Sequence, residues 1–322
     1  MDKLNVAIVG ATGMVGRTFL EVLEEMNLPI GNLGLFASGK SAGNKVMFKG
    51  QEFIIEELSE ESLDPKRYQY ALFSAGSSVS SAYGKTASQN GITVIDNSSF
   101  FRMEKEVPLI VPEINMEQAK GHKLISNPNC STIQSVVPLK VIHDLFKVKR
   151  VVYTTYQAVS GSGQKGLEDL QRTQKGEEPM FYPVPIADNC IPHIDVFLED
   201  GSTKEEQKMI EETRKILGDE NLKVSATCVR VPVSNGHSVA MNVTCESEPD
   251  LNLLKKALKK AEGIVYYEEG YPTALDAVGQ DKVLVGRLRN DNSEDNTISL
   301  WVVADNVRKG AASNAVQILK KL

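Results

Sequence analysis

Cysteine is scarce in this chain: four in 322 residues, at Cys130, Cys190, Cys228 and Cys245. They are too few for a disulfide framework at this size and too widely spaced for a C-x-x-C motif, so no metal site is expected and any special cysteine works as a free thiol. A lone cysteine is most often buried filler, the reading taken for Cys190, Cys228 and Cys245. Long apolar runs are lacking as well, and none is long enough to cross a bilayer. The start, Met1-Asp2-Lys3-Leu4, leads straight into a strand rather than a signal peptide, so a cytoplasmic protein without a membrane partner is expected. A basic excess is also missing. Lys and Arg number 36 against 42 Asp and Glu, a net charge of -6 that argues against nucleic acid as a partner. There is no internal repeat and no low-complexity segment.

What is present is an alternation of short apolar strands and helical stretches. Val6 to Val9, Leu33 to Ala37, Tyr70 to Ser74, Thr93 to Ile95, Leu109 to Val111 and Leu124 to Ser126 read as the strands of a Rossmann-like, doubly wound parallel sheet. After about Asn129 the texture changes to period-two alternation over Arg150 to Gln157, Lys223 to Val231, Ser238 to Glu246, Val283 to Arg289 and Ile298 to Val303. That pattern suits an α+β domain with a mostly antiparallel sheet. A charged helix is expected over Lys204 to Leu217, capped by Thr203 and ended by Gly218. A last helix, Lys309 to Leu322, is expected to pack back on the first domain. The domains are thus residues 1–128 plus 306–322, and residues 129–305.

Gly10-Ala11-Thr12-Gly13-Met14-Val15-Gly16 follows the first strand and opens an amphipathic helix that runs to about Met26. Strand, glycine turn and helix N-terminus together form a cradle for a dinucleotide pyrophosphate, although G-x-x-G-x-x-G alone is also an ordinary turn. NAD sites usually place Asp or Glu at the end of the second strand, yet no acidic residue occurs from Met26 to Gln51. Ser38-Gly39-Lys40-Ser41 offers a cation and two hydroxyls instead, which favours NADP. A solvated lysine on a turn is the bland alternative.

Asn127-Pro128-Asn129-Cys130-Ser131-Thr132 ends the last parallel strand and opens a helix toward Phe146. A thiol at a helix N-terminus is biased toward thiolate, and the free N–H groups there can hold an oxyanion, which makes Cys130 the nucleophile candidate. Pro138 falls inside this helix and should kink or shorten it. Of the four histidines, His143 lies too far along the same helix, and His122 and His193 fall in turn-like stretches. His237 opens an alternating strand after Pro232-Val233-Ser234-Asn235-Gly236 and is the general acid and base of choice.

With these residues in hand, the chain resembles aspartate-semialdehyde dehydrogenases of the bacterial type along nearly its whole length. The matching stretches are the Gly10 to Gly16 loop, Asp96 to Arg102, Pro128 to Thr132, Gln157 to Gly163, Cys228 to Val233 through His237, and Trp301 to Asn306. The resemblance implies NADPH-dependent reduction of L-aspartyl-4-phosphate to L-aspartate-4-semialdehyde with release of phosphate, through an acyl thioester on Cys130. It places the reaction on the route to lysine (through diaminopimelate), threonine, methionine and isoleucine. By resemblance Asn129 and Gln157 steady the thiol and acyl group, and Arg230 grips the substrate carboxylate. Arg102 holds the phosphate with Lys208, and Glu205 pairs with the substrate ammonium. Ser160, Gly161, Ser162, Gly163 and Asn306 lie against the cofactor, and the second domain forms a homodimer, with a dimer of dimers as the larger assembly the resemblance allows. Glu205 and Lys208 also share a helix face by spacing, although a surface ion pair fits them as well. Many members carry Arg where Lys40 stands, and Ser162 replaces a more usual alanine; both departures weaken strictness for NADP over NAD. The rivals are an N-acetyl-gamma-glutamyl-phosphate reductase, whose substrate has no ammonium, and a non-catalytic NADP-binding sensor.

Overall fold

Nearly continuous apolar strands need helices on both faces, and the first half of the chain meets that need. The computed structural model describes residues 3–322. They divide into two compact units, one holding the residues up to Pro128 together with Ala311–Leu322, the other Asn129–Gly310. The first contains β1 (Leu4–Val9), β2 (Ile30–Ala37), β3 (Lys45–Phe48), β4 (Gln51–Ile54), β5 (Glu56–Glu57), β6 (Tyr70–Phe73), β7 (Thr93–Asp96) and β8 (Leu124–Ser126). Its parallel sheet has the order β5-β2-β1-β6-β7-β8.

Alternate residues of β1 feed opposite cores. Val6 and Ile8 pack with Phe19 and Leu23 of the Met14–Glu25 helix and with Val316 and Leu319 of the Ser313–Lys321 helix. Ala7 and Val9 pack with Phe36, Tyr68 and Ala87 on the other face. The chain leaves β1 toward β2 on one side and later returns to β6 on the other, so a crevice opens at the carboxyl ends of these strands.

Leu109–Val111 does not form the expected strand. Only a bridge from Leu109 to Ser126 is made, because buried Asn115 intercepts the backbone: its Oδ1 accepts from the Val111 N–H at 2.9 Å and its Nδ2 donates to the Leu109 carbonyl at 2.9 Å. The sequence reading had not included the β3–β4 hairpin. Its signal was Lys49-Gly50, both at positive φ (48° and 74°), the geometry of a tight primed turn.

The second unit carries β9 (Val148–Gln157), β10 (Lys223–Arg230), β11 (His237–Cys245), β12 (Ile264–Tyr266), β13 (Val283–Asn290) and β14 (Thr297–Ala304). The sheet order is β10-β9-β11-β14-β13-β12. The β9–β11, β11–β14 and β13–β14 pairs are antiparallel, and β9–β10 and β12–β13 are parallel. The helix Lys204–Leu217 has the expected ends: a Thr203/Glu206 capping box and left-handed Gly218.

Two helix expectations need correction. Cys130–Phe146 is not shortened at Pro138; Ser131 to Leu139 are all buried, and that packing sustains the helix past the missing N–H. The C-terminal segment is not one helix from Lys309, since residues Arg308–Ala312 form a wider π turn before Ser313–Lys321. Among the described residues no helix is long and apolar enough to cross a membrane, and no group of three or more His, Cys, Asp or Glu could hold a metal ion.

Candidate functional site

In the first unit, Gly10 adopts φ +90°, and a Cβ there would lie 2.8 Å from the Ser74 backbone. A Cβ on Gly16 would meet the Gly10 carbonyl oxygen at 2.1 Å, so both positions require glycine for the strand, turn and helix to close up. Gly13 starts the Met14–Glu25 helix with no side chain capping it, which leaves the first-turn N–H groups, those of Met14 and Val15 among them, open to an anion. A cavity of about 410 Å³ borders this turn, lined by Gly10, Thr12, Gly13 and Ser38, and also by Leu58, Val79 and Tyr83, which sequence reasoning missed. Lys40 stands exposed in the turn closed by Ser41 N–H to the Ser38 carbonyl at 2.8 Å. A glycine cradle, an uncapped helix start and an adjoining cavity fit a dinucleotide.

Arg102 belongs to the same unit and is buried. Its Nε donates to the Asn127 carbonyl and its Nη2 to the Asn97 carbonyl, each at 2.9 Å. The Asp96 carboxylate shapes that loop by accepting from Ser80 Oγ, Ser98 N–H and Ser98 Oγ. The Asp96 to Arg102 motif therefore builds the support for its own arginine.

The second unit gathers the remaining polar groups. Asn129 is the N-cap of the Cys130–Phe146 helix: its Oδ1 accepts from Ser131 N–H at 2.9 Å and Thr132 N–H at 3.2 Å. Its Nδ2 donates to Glu205 Oε1 at 2.8 Å and its own N–H to Glu212 Oε2 at 2.7 Å. Cys130, the first helical residue, is partly exposed. Gly310 packs so closely on it that a Cβ there would stand 2.8 Å from the Cys130 Cβ; neither this glycine nor Glu212 was singled out from the sequence.

Strand order explains why Gln157, Arg230 and His237 meet. Gln157 ends β9, Arg230 ends the parallel neighbour β10 in register with it, and His237 begins the antiparallel neighbour β11, so all three lie at one end of the sheet. A Cβ on Gly161 would meet Arg230 Nη1 at 2.8 Å and both His237 Cε1 and Nε2 at 3.2 Å, so this glycine is the floor on which both side chains converge. Arg230 is 4% exposed, donates from Nη1 to the Ala158 carbonyl at 2.7 Å, and has no partner at Nε. His237 is fully buried and its Nδ1 accepts from the Ala158 N–H at 3.0 Å. The neutral ring therefore carries its proton on Nε2, which has no partner. Burial first, and the Arg230 charge second, hold the His237 pKa well below the ordinary histidine range.

Glu205 collects the other donors. Oε1 accepts from Asn129 and from Gln157 Nε2 at 3.2 Å, and Oε2 accepts from Lys208 Nζ at 3.1 Å. Burial pushes this carboxyl up, but Lys208 and the hydrogen bonds from Asn129, Lys208 and Gln157 outweigh it and keep the group below the usual carboxylate range. Lys208 also reaches Asp195 Oδ2 at 2.7 Å. Gln157 in turn accepts from Thr155 Oγ1 at 3.0 Å.

The loop from Ser160 to Gly163 is braced elsewhere. Asn306 Nδ2 donates to Ser160 Oγ at 2.9 Å and Asn306 Oδ1 accepts from Gly236 N–H at 2.9 Å, while Ser162 Oγ accepts from Tyr182 at 3.0 Å. Gly163 sits at φ +72°. Among the other cysteines, Cys228 and Cys245 are buried, and burial raises both thiols, Cys245 to about 11. Cys190 is exposed, so the filler reading fails for it; it lies in an irregular stretch where Ile191 and Phe197 join isolated bridges. His143 uses Nδ1 to accept from Val148 N–H at 3.3 Å, and His193 stacks on Phe197, which leaves neither in this cluster.

Residues 5–122 match the family model "Semialdehyde dehydrogenase, NAD binding domain", and residues 139–309 match "Semialdehyde dehydrogenase, dimerisation domain". The chain is similar to aspartate-semialdehyde dehydrogenase of Aquifex aeolicus, at 51% identity over 98% of this chain and 97% of the relative. A crystal structure of aspartate semialdehyde dehydrogenase II complexed with ASA from Vibrio cholerae superposes with a TM-score of 0.95 at 44% identity, covering 99% of this chain and 98% of that one. The enzyme with NADP from Candida albicans gives a TM-score of 0.78 at 25% identity, covering 99% and 98%.

Proposed function

We propose, from the premise that this chain belongs to the aspartate-semialdehyde dehydrogenase family, that it reduces L-aspartyl-4-phosphate to L-aspartate-4-semialdehyde with NADPH through an acyl thioester on Cys130. The observation that carries the reading is Asn129: one amide caps the Cys130 helix with its oxygen and reaches Glu205 with its nitrogen, tying the nucleophile to a buried substrate-side carboxylate.

The chemistry follows from the groups present. The helix N-terminus favours the Cys130 thiolate. Its sulfur bonds to the acyl carbon as the carbon–oxygen bond to phosphate breaks, and phosphate leaves with the electron pair. A bound NADPH supplies the hydride that reduces the thioester carbon. His237 donates a hydrogen bond from Nε2 to the oxygen as negative charge develops there, and it is neutral, so no proton need be removed first. The oxyanion then collapses, the carbon–sulfur bond breaks, and thiolate is restored with aldehyde released.

Binding is assigned on the same basis. Arg230 offers its unpartnered Nε edge to the substrate carboxylate. Glu205 Oε2 has a second lone pair for the ammonium beside Lys208, and Gln157 steadies the acyl group. Arg102 and Lys208 supply positive charge for the phosphate. Gly10, Thr12, Gly13, Met14 and Val15 take the pyrophosphate, and Ser38, Lys40 and Ser41 the 2′-phosphate. Ser160, Gly161, Ser162, Gly163 and Asn306 border the nicotinamide side. The NADP in the Candida albicans structure supports this cofactor. The reaction would serve synthesis of lysine, threonine, methionine and isoleucine, and the chain would act as a homodimer through the second unit.

Turnover of L-aspartate semialdehyde and of N-acetyl-glutamate semialdehyde, each with NADP and phosphate, tests the reading. Activity on the first is expected; activity confined to the acetylated aldehyde would overturn it.

A further inference from the structure

The second strand of a dinucleotide-binding sheet usually ends in an acid that accepts from the ribose 2′-hydroxyl, and β2 ends in Ala37 without one. The fold supplies a carboxylate at that place from another strand. β5 lies at the sheet edge next to β2 with Phe36 paired to Glu56 and Ala37 paired to Glu57. The pairing continues one step further, where Leu58 N–H donates to the Ala37 carbonyl at 2.9 Å, and Leu58 itself lines the dinucleotide cavity beside Ala37 and Ser38.

Glu57 is thereby laid against the turn that follows β2. A Cβ on Gly39 would stand 2.6 Å from Glu57 Oε1 and 3.2 Å from Oε2, so the carboxylate rests on the Gly39 backbone in the space an alanine would fill. Gly39 has no positive φ, so the turn itself does not require glycine, and the nearest atoms an added methyl would meet all belong to the end of the flexible Glu57 side chain. No hydrogen bond or ion pair is recorded for either the Glu57 carboxylate or the Lys40 ammonium among the described residues. Glu57 on β5 thus touches the residue before Lys40, and Glu57 and Lys40 both carry exposed charge close in sequence to the cavity-lining Ser38 and Leu58.

We infer that Glu57 is a cofactor-specificity residue: its carboxylate accepts from the 2′-hydroxyl of NAD and repels the 2′-phosphate of NADP, so this chain uses both cofactors. The inference rests on the 2′-phosphate assignment made above for Ser38, Lys40 and Ser41. The opposing charges explain how one turn serves both ligands, with Lys40 holding the phosphate when it is present and Glu57 holding the hydroxyl when it is not.

Equilibrium fluorescence titration of the full chain with NADPH and, separately, NADH tests it without reference to turnover. Glu57→Gln should tighten NADPH and weaken NADH, each by up to about tenfold at low salt, with the NADPH gain shrinking as salt screens the repulsion. Gly39→Ala, whose new methyl would push the flexible carboxylate aside, should move the ratio in the same direction. Lys40→Ala should weaken NADPH while sparing NADH. An unchanged affinity ratio in both Glu57→Gln and Gly39→Ala, with NADPH still bound by the wild type, would overturn the role of Glu57. Wild-type protein that binds NADH alone would instead overturn the 2′-phosphate assignment beneath it.

Discussion

Cys130, Arg230 and His237 make separable demands at the level of single side chains. Cys130→Ala should abolish turnover and leave cofactor affinity near normal, since the glycine cradle is untouched; fluorescence titration and a rate assay on one preparation read both. Loss of both would make the thiol structural. Arg230→Lys should raise the substrate KM by about tenfold or more, because an ammonium cannot present the Nε edge of a planar fork. An unaltered KM would remove the carboxylate assignment. The glycine between these groups matters as much as they do. At Gly161 any side chain would strike Arg230 and His237, so the site's most informative small residue is one that contributes no functional group.

Elements position those side chains by capping and by strand order. The Asn129 cap should be worth about 1 kcal/mol of stability when lost to alanine. Asn129→Asp separates its two duties, since aspartate still caps the helix but turns a carboxylate on Glu205. We expect the aspartate variant to lose more stability than the alanine variant at neutral pH, because two buried carboxylates then face each other, together with a large fall in kcat/KM; equal loss of stability in both variants at every pH would show that the two groups do not couple. The same element logic explains the reading that missed. Leu109–Val111 has the apolar run of a strand, but a side chain six residues away in sequence, Asn115, takes the backbone groups that a ladder would have used.

The whole molecule links the buried site to pH and to assembly. His237 is held neutral by burial, so the unfolded chain binds a proton below its ordinary pKa of 6.5 that the native chain refuses. Native stability is therefore complete above that pH and falls as pH drops, with a slope from this one group of at most about 1.4 kcal/mol per pH unit. Glu205 acts in the same direction lower on the scale: its depressed carboxyl adds stability above 4.5 that disappears as pH falls through the lower native value. Denaturant titrations across pH should find the loss below 6.5 reduced in His237→Gln; an identical slope would mean that His237 already carries its proton when folded. Sedimentation should give twice the 35.3 kDa chain mass, and a monomer at micromolar concentration would contradict the homodimer.

The sequence by itself determined a parallel sheet followed by a mostly antiparallel one, the Thr203 and Gly218 helix ends, the glycine turn and Cys130 at a helix start, because each is a local pattern of apolar period, cap or turn chemistry. Only the tertiary structure decided that Pro138 stays helical, that Gly310 and Gly161 press against reacting side chains, that Glu205 already holds three donors, and that Glu57 rests beside Gly39. Those facts depend on which strands and helices become neighbours in space, and chain separations of tens to hundreds of residues leave no local pattern from which to read them.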